Sequence, residues 1–146
     1  MGEGNNRPLH PDLEAEGWEH DGHEGYVEFF GPVRVRKEPG GDVYGLLTQE
    51  RHADSSGFVA NGVLMAFADH AVGCAGIGVF EVSQVTIELA IRFVDRARPG
   101  DLVEGRASIA GRLDDMLFLQ GRLTVAGRTI AIAEGVWKAV RPFPDP

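Results

Sequence analysis

Between Ser56 and Glu81 the chain runs through GFVANGVLMAFADHAVGCAGIGVF, and within it only Asp69, His70 and the Cys74 thiol can ionise. At helical spacing, Val63, Leu64, Met65, Phe67, Val72 and Ile77 leave almost no polar side, the pattern of a helix wrapped by a sheet rather than lying on a surface. The spacing therefore predicts a long central helix with Asp69 largely removed from water. A carboxylate in such surroundings is costly unless paired, hydrogen-bonded or protonated, which marks Asp69 as a candidate functional group. Its neighbours are not its partners. His70 projects about 100° away around a helix, and Cys74, five residues on, is also off its line. Any partner for Asp69 has to come from elsewhere.

The flanks say what wraps this helix. Residues 13–18, LEAEGW, read as a short helix or turn broken by Gly17. GYVEFFGPVRVRKEPGGDVYGLLTQERH reads as extended pieces, with a turn at EPGGD joining VRVRK and DVYGLLTQ as a hairpin. A loop rich in Gly, Ser and Asp, HADSSGFVANG, leads into the helix. After it the period changes to two: Val85, Ile87, Leu89, Ile91 and Phe93 alternate with Thr86, Glu88, Ala90 and Arg92, as in a half-buried strand. LVEGRASIA, MLFLQGRLTV and TIAIAEGVWKAV follow as further strands with short turns between them, and short links require antiparallel neighbours. On the last strand Ala131, Ala133, Gly135 and Ala139 share a face with Trp137, small residues that let a helix approach closely. The expected fold class is α+β, an antiparallel sheet with one long helix on its concave face. Residues 1–12 read as a flexible arm and 13–146 as a single domain.

The remaining features exclude more than they assign. A net charge of −8 with dispersed basic residues is no footprint for nucleic acid. The single cysteine allows no internal disulfide and gives no zinc-ligand spacing. His20 and His23 lie close together in WEHDGHEG, but no third ligand follows at the right spacing, so no metal is expected. Residues 62–80 carry Asp, His and several glycines, against a transmembrane segment, and the polar start lacks the basic and apolar runs of a signal peptide. The cytoplasm is the expected location.

From GPVRVRKEPGGDVYGLLTQERHADSSGFVANGVLMAFADHAVG to VTIELAIRFVDRARPGD and the three strands beyond, roughly residues 29–140, the chain resembles the hotdog-fold acyl-CoA thioesterases of the phenylacetate-degradation (PaaI-like) group. In that family the loop before the helix reads His-x-Asn-x-x-Gly-x-x-His-Gly-Gly, with an acidic residue seven positions after the last glycine. His52, Gly57, Gly62 and Asp69 match this pattern. Asp54 stands where Asn is usual, Ala60 replaces the second His, and Asn61 replaces the first glycine of the pair. The resemblance implies that Asp69 acts as general base or nucleophile on a thioester carbonyl, and that backbone N–H groups of Asn61 or Gly62 hold the oxyanion. It further implies a site shared across a homodimer or dimer of dimers, with Asp54 and Asn61 of one subunit facing Asp69 of the other. Thr86 matches a hydroxyl position that in some relatives helps place the water, although alternation sets it opposite Val85 and Ile87.

Two carboxylates brought together in this way could not both ionise freely, so either Asp54 and Asp69 share a proton near neutral pH or, as an equal alternative, Asp54 caps the loop and never meets Asp69. Arg96 and Arg98, in the RARPGD turn, are candidate forks for the phosphates of coenzyme A, which enters as part of the substrate rather than as a cofactor. Phe29, Phe30, Met65 and Phe67 are candidates for an apolar acyl pocket, with plain core as the stronger reading of each. Because Ala60 and Asp54 depart from the pattern, a protein that binds acyl-CoA or a small ligand without turnover is the alternative. A hotdog dehydratase ranks lowest, since the loop histidine it would use is absent.

Overall fold

The structure, a computed structural model, describes residues 12–140, so the expected N-terminal arm lies outside it but for Asp12. Seven strands form one antiparallel sheet: β1 (Glu19–His20), β2 (Val33–Arg36), β3 (Val43–Leu47), β4 (Gln84–Phe93), β5 (Leu102–Leu113), β6 (Met116–Val125) and β7 (Arg128–Ala139). Their order across the sheet is β1-β2-β3-β5-β6-β7-β4. Two helices accompany them, α1 (Tyr26–Phe30) and α2 (Asn61–Gly73). The hairpin β2–β3 and the meander β5–β6–β7 are those expected from the alternation and turns. β4 does not pair with β5, its successor in sequence, but closes the far edge against β7.

α2 lies against the sheet through Leu64, Phe67, Ala68, Ala71 and Val72, all buried. Small residues on the facing strands set that approach. A methyl group at Gly105 would come within 2.8 Å of the Ala71 side chain, and one at Gly121 within 2.9 Å of Val72. Both glycines are there because the helix leaves no room for a Cβ. On β7, Ala131, Ala133 and Trp137 are buried beneath the helix, on the small-residue face read from the sequence.

Three local expectations are corrected. The apolar stretch is not one long helix: α2 ends at Gly73 and continues only as a 3-10 turn over Cys74–Gly76, where three glycines in six residues, Gly73, Gly76 and Gly78, disfavour further helix. Tyr26–Phe30 is a single helical turn rather than extended, entered through Gly25 at a positive φ of 79°. Finally, β1 adds a short strand at the β2 edge that carried no alternation long enough to see. A second, smaller core forms under it, where Trp18 packs beside Leu13, Val43 and Leu102 with the Arg36 guanidinium 4.4 Å above its ring.

Candidate active site

The loop ahead of α2 is fixed by its own backbone. The buried His52 accepts the Gln49 N–H on Nδ1 at 2.9 Å, and its carbonyl accepts the Ala60 N–H at 2.8 Å. Val59 N–H donates to Ala97 O at 2.9 Å, tying the loop to the turn after β4. Burial holds the His52 imidazole below its ordinary range, with the neighbouring Arg51 charge adding to the effect. Asp54, exposed on the same loop, turns back onto its neighbours. Its carboxylate accepts Ser56 N–H at 2.8 Å and the Ser56 hydroxyl at 2.5 Å, while its own N–H donates to Phe58 O at 2.8 Å. The Ser56 hydroxyl and then the Ser56 N–H hold Asp54 below the usual carboxylate range. Within one subunit, therefore, Asp54 is held by its own loop and its pKa is lowered.

α2 starts at Ala60 without a side-chain cap. The first N–H groups of a helix have no intrahelical acceptor, so those of Asn61 and Gly62 point out of an exposed helix end carrying the positive pole of its dipole.

Asp69 departs from expectation in its surroundings. It is exposed in the single chain, because only one flank of α2 faces the sheet, and the stripe Asn61, Met65, Asp69, spaced four residues apart, faces away. Its hydrogen-bond partner is Thr86, whose hydroxyl donates to Asp69 Oδ1 at 2.7 Å. Simple alternation put Thr86 on the side opposite Leu89, Ile91 and Phe93. A bulge intervenes: Thr86 pairs with Trp137 but Glu88 with Val136, so Ile87 is the extra residue. One inserted residue exchanges the two faces of a strand, bringing Thr86 to the helix side and leaving Val85 and Ile87 exposed.

Arg96 and Arg98 are exposed, and both guanidinium groups lie over the Phe58 ring, at 4.7 and 4.5 Å. They therefore flank the loop that leads to the helix N-terminus. Arg128 bonds Asp95 and the Arg96 carbonyl, bracing the turn that carries them. Of the proposed pocket residues, Phe67 and Phe30 are core, whereas Phe29 and Met65 are exposed at 73% and 43%.

One cluster was only half visible in the sequence, through His23. His70 Nε2 lies 2.6 Å from Asp21 Oδ2, His23 Nδ1 lies 3.2 Å from the same oxygen, and Cys74 Sγ is 3.7 Å from His70 Nε2. Burial lowers the His70 pKa and raises that of the Cys74 thiol to about 11. A separation of 49 residues hides the Asp21–His70 pair from any spacing rule.

Comparison with known proteins bears on the fold. Residues 56–111 match the model of the thioesterase superfamily. The PaaI protein of the Escherichia coli phenylacetic acid degradation operon superposes with a TM-score of 0.71 at 15% identity, covering 82% of this chain and 86% of that one. The chain has the hotdog fold. A putative thioesterase of Ralstonia eutropha JMP134, a phenylacetic acid degradation-related protein, gives 0.70 at 20% identity over 80% of this chain and 92% of that one. A hypothetical thioesterase of Streptococcus pneumoniae TIGR4, solved with coenzyme A, gives 0.67 at 15% identity over 74% of this chain and 88% of that one. The resemblance to PaaI-like hotdog thioesterases read from the sequence stands. No curated protein sequence matches the chain. Among the described residues, no helix is long and apolar enough to cross a membrane.

Proposed function

We propose that this hotdog protein hydrolyses an acyl-CoA thioester to a carboxylate and free coenzyme A, and that it does so as a homodimer or dimer of dimers in the cytoplasm. The observation that carries the proposal is the position of Asp69: a carboxylate oriented by a strand hydroxyl, exposed beside the free edge of β4. The helix N–H groups lie on its own stripe but too far away to act with it. Eight residues of helix separate Asn61 from Asp69, about 12 Å along the axis. One carbonyl cannot meet both from the same chain. A second subunit supplies the missing half, with its Asn61 and Gly62 N–H groups brought to the Asp69 of the first.

The surface supports this arrangement. Val85, Ile87 and Val94 are exposed on or just beyond β4, whose outer edge pairs with no other strand among the described residues, a combination that proteins normally cover. In the assembled site, Thr86 occupies Asp69 Oδ1 and leaves Oδ2 for a water. Asp69 takes a proton as that water attacks the thioester carbonyl, and the partner's helix N–H groups stabilise the oxyanion. Collapse expels the coenzyme A thiolate, which recovers the proton from Asp69. Direct attack by Asp69 to form an anhydride is the other route open to the same geometry. Arg96 and Arg98, held against Phe58 beside the oxyanion donors, receive the phosphates. Phe29 and Met65 offer apolar surface for an aromatic or medium-chain acyl group.

The test is thiol release from phenylacetyl, benzoyl and short to long acyl-CoA esters by wild type and Asp69→Ala. Turnover that collapses in a variant still folded and dimeric supports the mechanism. Equal release from both proteins, or none, overturns it and leaves an acyl-CoA or small-ligand binding protein.

A further inference from the structure

The Asp21, His23 and His70 side chains lie away from the proposed catalytic machinery. His70 follows Asp69 on α2 and so projects from a different side of the helix, toward the segment between β1 and α1. That segment is built to present Asp21. Gly22 N–H donates to His20 Nδ1 at 3.0 Å, Asp21 N–H donates to Val33 O at 3.2 Å, and His23 N–H donates to Asp21 Oδ1 at 3.1 Å. With Oδ1 engaged by backbone, Oδ2 is left to face two imidazoles. The Asp21 and His70 side chains are only 1% and 9% exposed, whereas His23 is 43% exposed and covers them from the solvent side.

We propose that Asp21 Oδ2, His23 Nδ1 and His70 Nε2 bind a divalent transition-metal ion, zinc by their chemistry, with Cys74 Sγ as the fourth ligand. Two imidazoles, a carboxylate and a thiolate are the donor types of a tetrahedral zinc site. Ligand atoms about 2.0–2.3 Å from zinc stand about 3.3–3.7 Å from one another in a tetrahedron. The observed separations of 3.2 Å for His23 to Asp21 and 3.7 Å for Cys74 to His70 are close to that, and the three nitrogen and oxygen atoms all lie within 4.8 Å of each other. The Asp21–His70 pair, at 2.6 Å, has to open by about 0.7 Å to reach the tetrahedral spacing, and Cys74 Sγ, which stands outside the 4.8 Å group, has to swing in from beside His70 to complete the set.

The hydrogen shared by Asp21 and His70 and the Cys74 proton leave to solvent as the ion enters. Access exists from two sides. His23 is partly exposed, and Cys74 lines a cleft of about 380 Å³ bounded by Asp42, Tyr44, Ile77 and Ile109. Such an ion would tie α2 to the β1–α1 segment and hold the helix that carries Asp69, without touching substrate.

Tag-free protein is dialysed against chelator and titrated with Co²⁺ and then Zn²⁺. One equivalent of Co²⁺ is expected to give the visible bands of a tetrahedral site, displaced by Zn²⁺, and Zn²⁺ is expected to raise the unfolding midpoint. His23→Ala, partly exposed and safe for folding, and Asp21→Asn should each weaken metal binding more than about tenfold. Glu24→Gln, next to His23 in sequence but exposed and outside the cluster, should not. Cys74→Ser should remove the near-ultraviolet sulfur-to-cobalt band. No stoichiometric Co²⁺ spectrum, or one unchanged in His23→Ala and Asp21→Asn, overturns the site. A near-ultraviolet band that survives Cys74→Ser overturns the fourth ligand.

Discussion

Gly135→Ala is the sharpest single-methyl test of how the sheet positions the candidate site. Gly135 pairs with Leu89 just past the bulge that turns Thr86 toward Asp69. A Cβ there would stand 2.2 Å from the Glu88 carbonyl oxygen and 2.9 Å from the Trp137 ring. The first contact is with backbone, which cannot swing aside as a side-chain tip would. Restoring ordinary contact needs a shift of β4 of about 1 Å, and methyl insertions of this kind cost about 1–3 kcal/mol. The upper half of that range applies, because neither the Glu88 peptide nor the buried Trp137 has free space. For a chain of this size about 2–3 kcal/mol lowers the unfolding midpoint by about 6–10 °C. Thr86 moves with the strand, and a displacement of that order in a reacting group costs about a hundredfold in rate.

The control is Gly111→Ala, also a strand glycine, where a Cβ meets nothing within 4 Å. It should be neutral or gain about 0.4–1 kcal/mol from the stiffer unfolded chain. Urea and thermal unfolding at one protein concentration, with thioesterase rates beside them, make the comparison. A Gly135→Ala protein as stable and as active as Gly111→Ala would refute the claim that this contact sets the bulge.

Thr86→Val keeps the shape but removes the hydroxyl from Asp69. A hydrogen bond to a charged acceptor contributes about 1.5–3 kcal/mol, so kcat should fall about 10- to 100-fold with KM little changed. Arg96→Ala combined with Arg98→Ala should raise KM for acyl-CoA severalfold and flatten its salt dependence, while leaving rates on a pantetheine thioester, which lacks the nucleotide phosphates, unchanged. His52 contributes a pH dependence whose sign follows from its lowered pKa. Below its unfolded value of 6.5 the unfolded chain takes up a proton that the buried imidazole refuses, so this contribution is full above that value and is lost as pH falls toward the folded pKa. Urea midpoints from pH 8 to pH 5 should therefore fall more steeply for wild type than for His52→Gln.

The sheet was legible because alternation and turn chemistry are local, and β2, β3 and the three-strand meander follow from them. What escaped was set by contacts distant in sequence or by a single inserted residue. Period-two reading has no means of placing a bulge, so it sets Thr86 opposite Leu89, Ile91 and Phe93, whereas the register shift puts it on their side. Asp69 was read as buried because the apolar pattern of α2 counts every hydrophobic neighbour as cover. Met65, one turn before it, and Ile77, beyond the helix, are in fact exposed at 43% and 61% in a lone chain. The pattern reported apolar surface to be covered without saying whether the same chain covers it. The Asp21–His23–His70 cluster had half a signal, the His20–His23 spacing, but the histidine that completes it is the one read only as a misdirected neighbour of Asp69.

Asp54 is the departure from the resembling family's pattern for which two readings were open, a proton shared with Asp69 or a cap on its own loop. A shared proton between Asp54 and Asp69 requires an Asp54 carboxyl that is easy to protonate. Its carboxylate instead accepts two hydrogen bonds from Ser56, both favouring the charged form, and its pKa is moved down. Forming the shared proton would mean giving up those bonds, so Asp54 is better placed as the brace of the loop that ends at the helix N–H groups. Asp54→Asn retains an acceptor oxygen for Ser56 and removes the charge. Its pH-rate profile should superimpose on that of wild type, at a rate reduced by no more than severalfold. Ser56→Ala, which removes the hydroxyl bond and keeps the backbone one, should lower kcat modestly, again without moving the profile. A limb displaced by a pH unit or more in Asp54→Asn but not in Ser56→Ala would restore the carboxylate pair across the subunits and refute the bracing role.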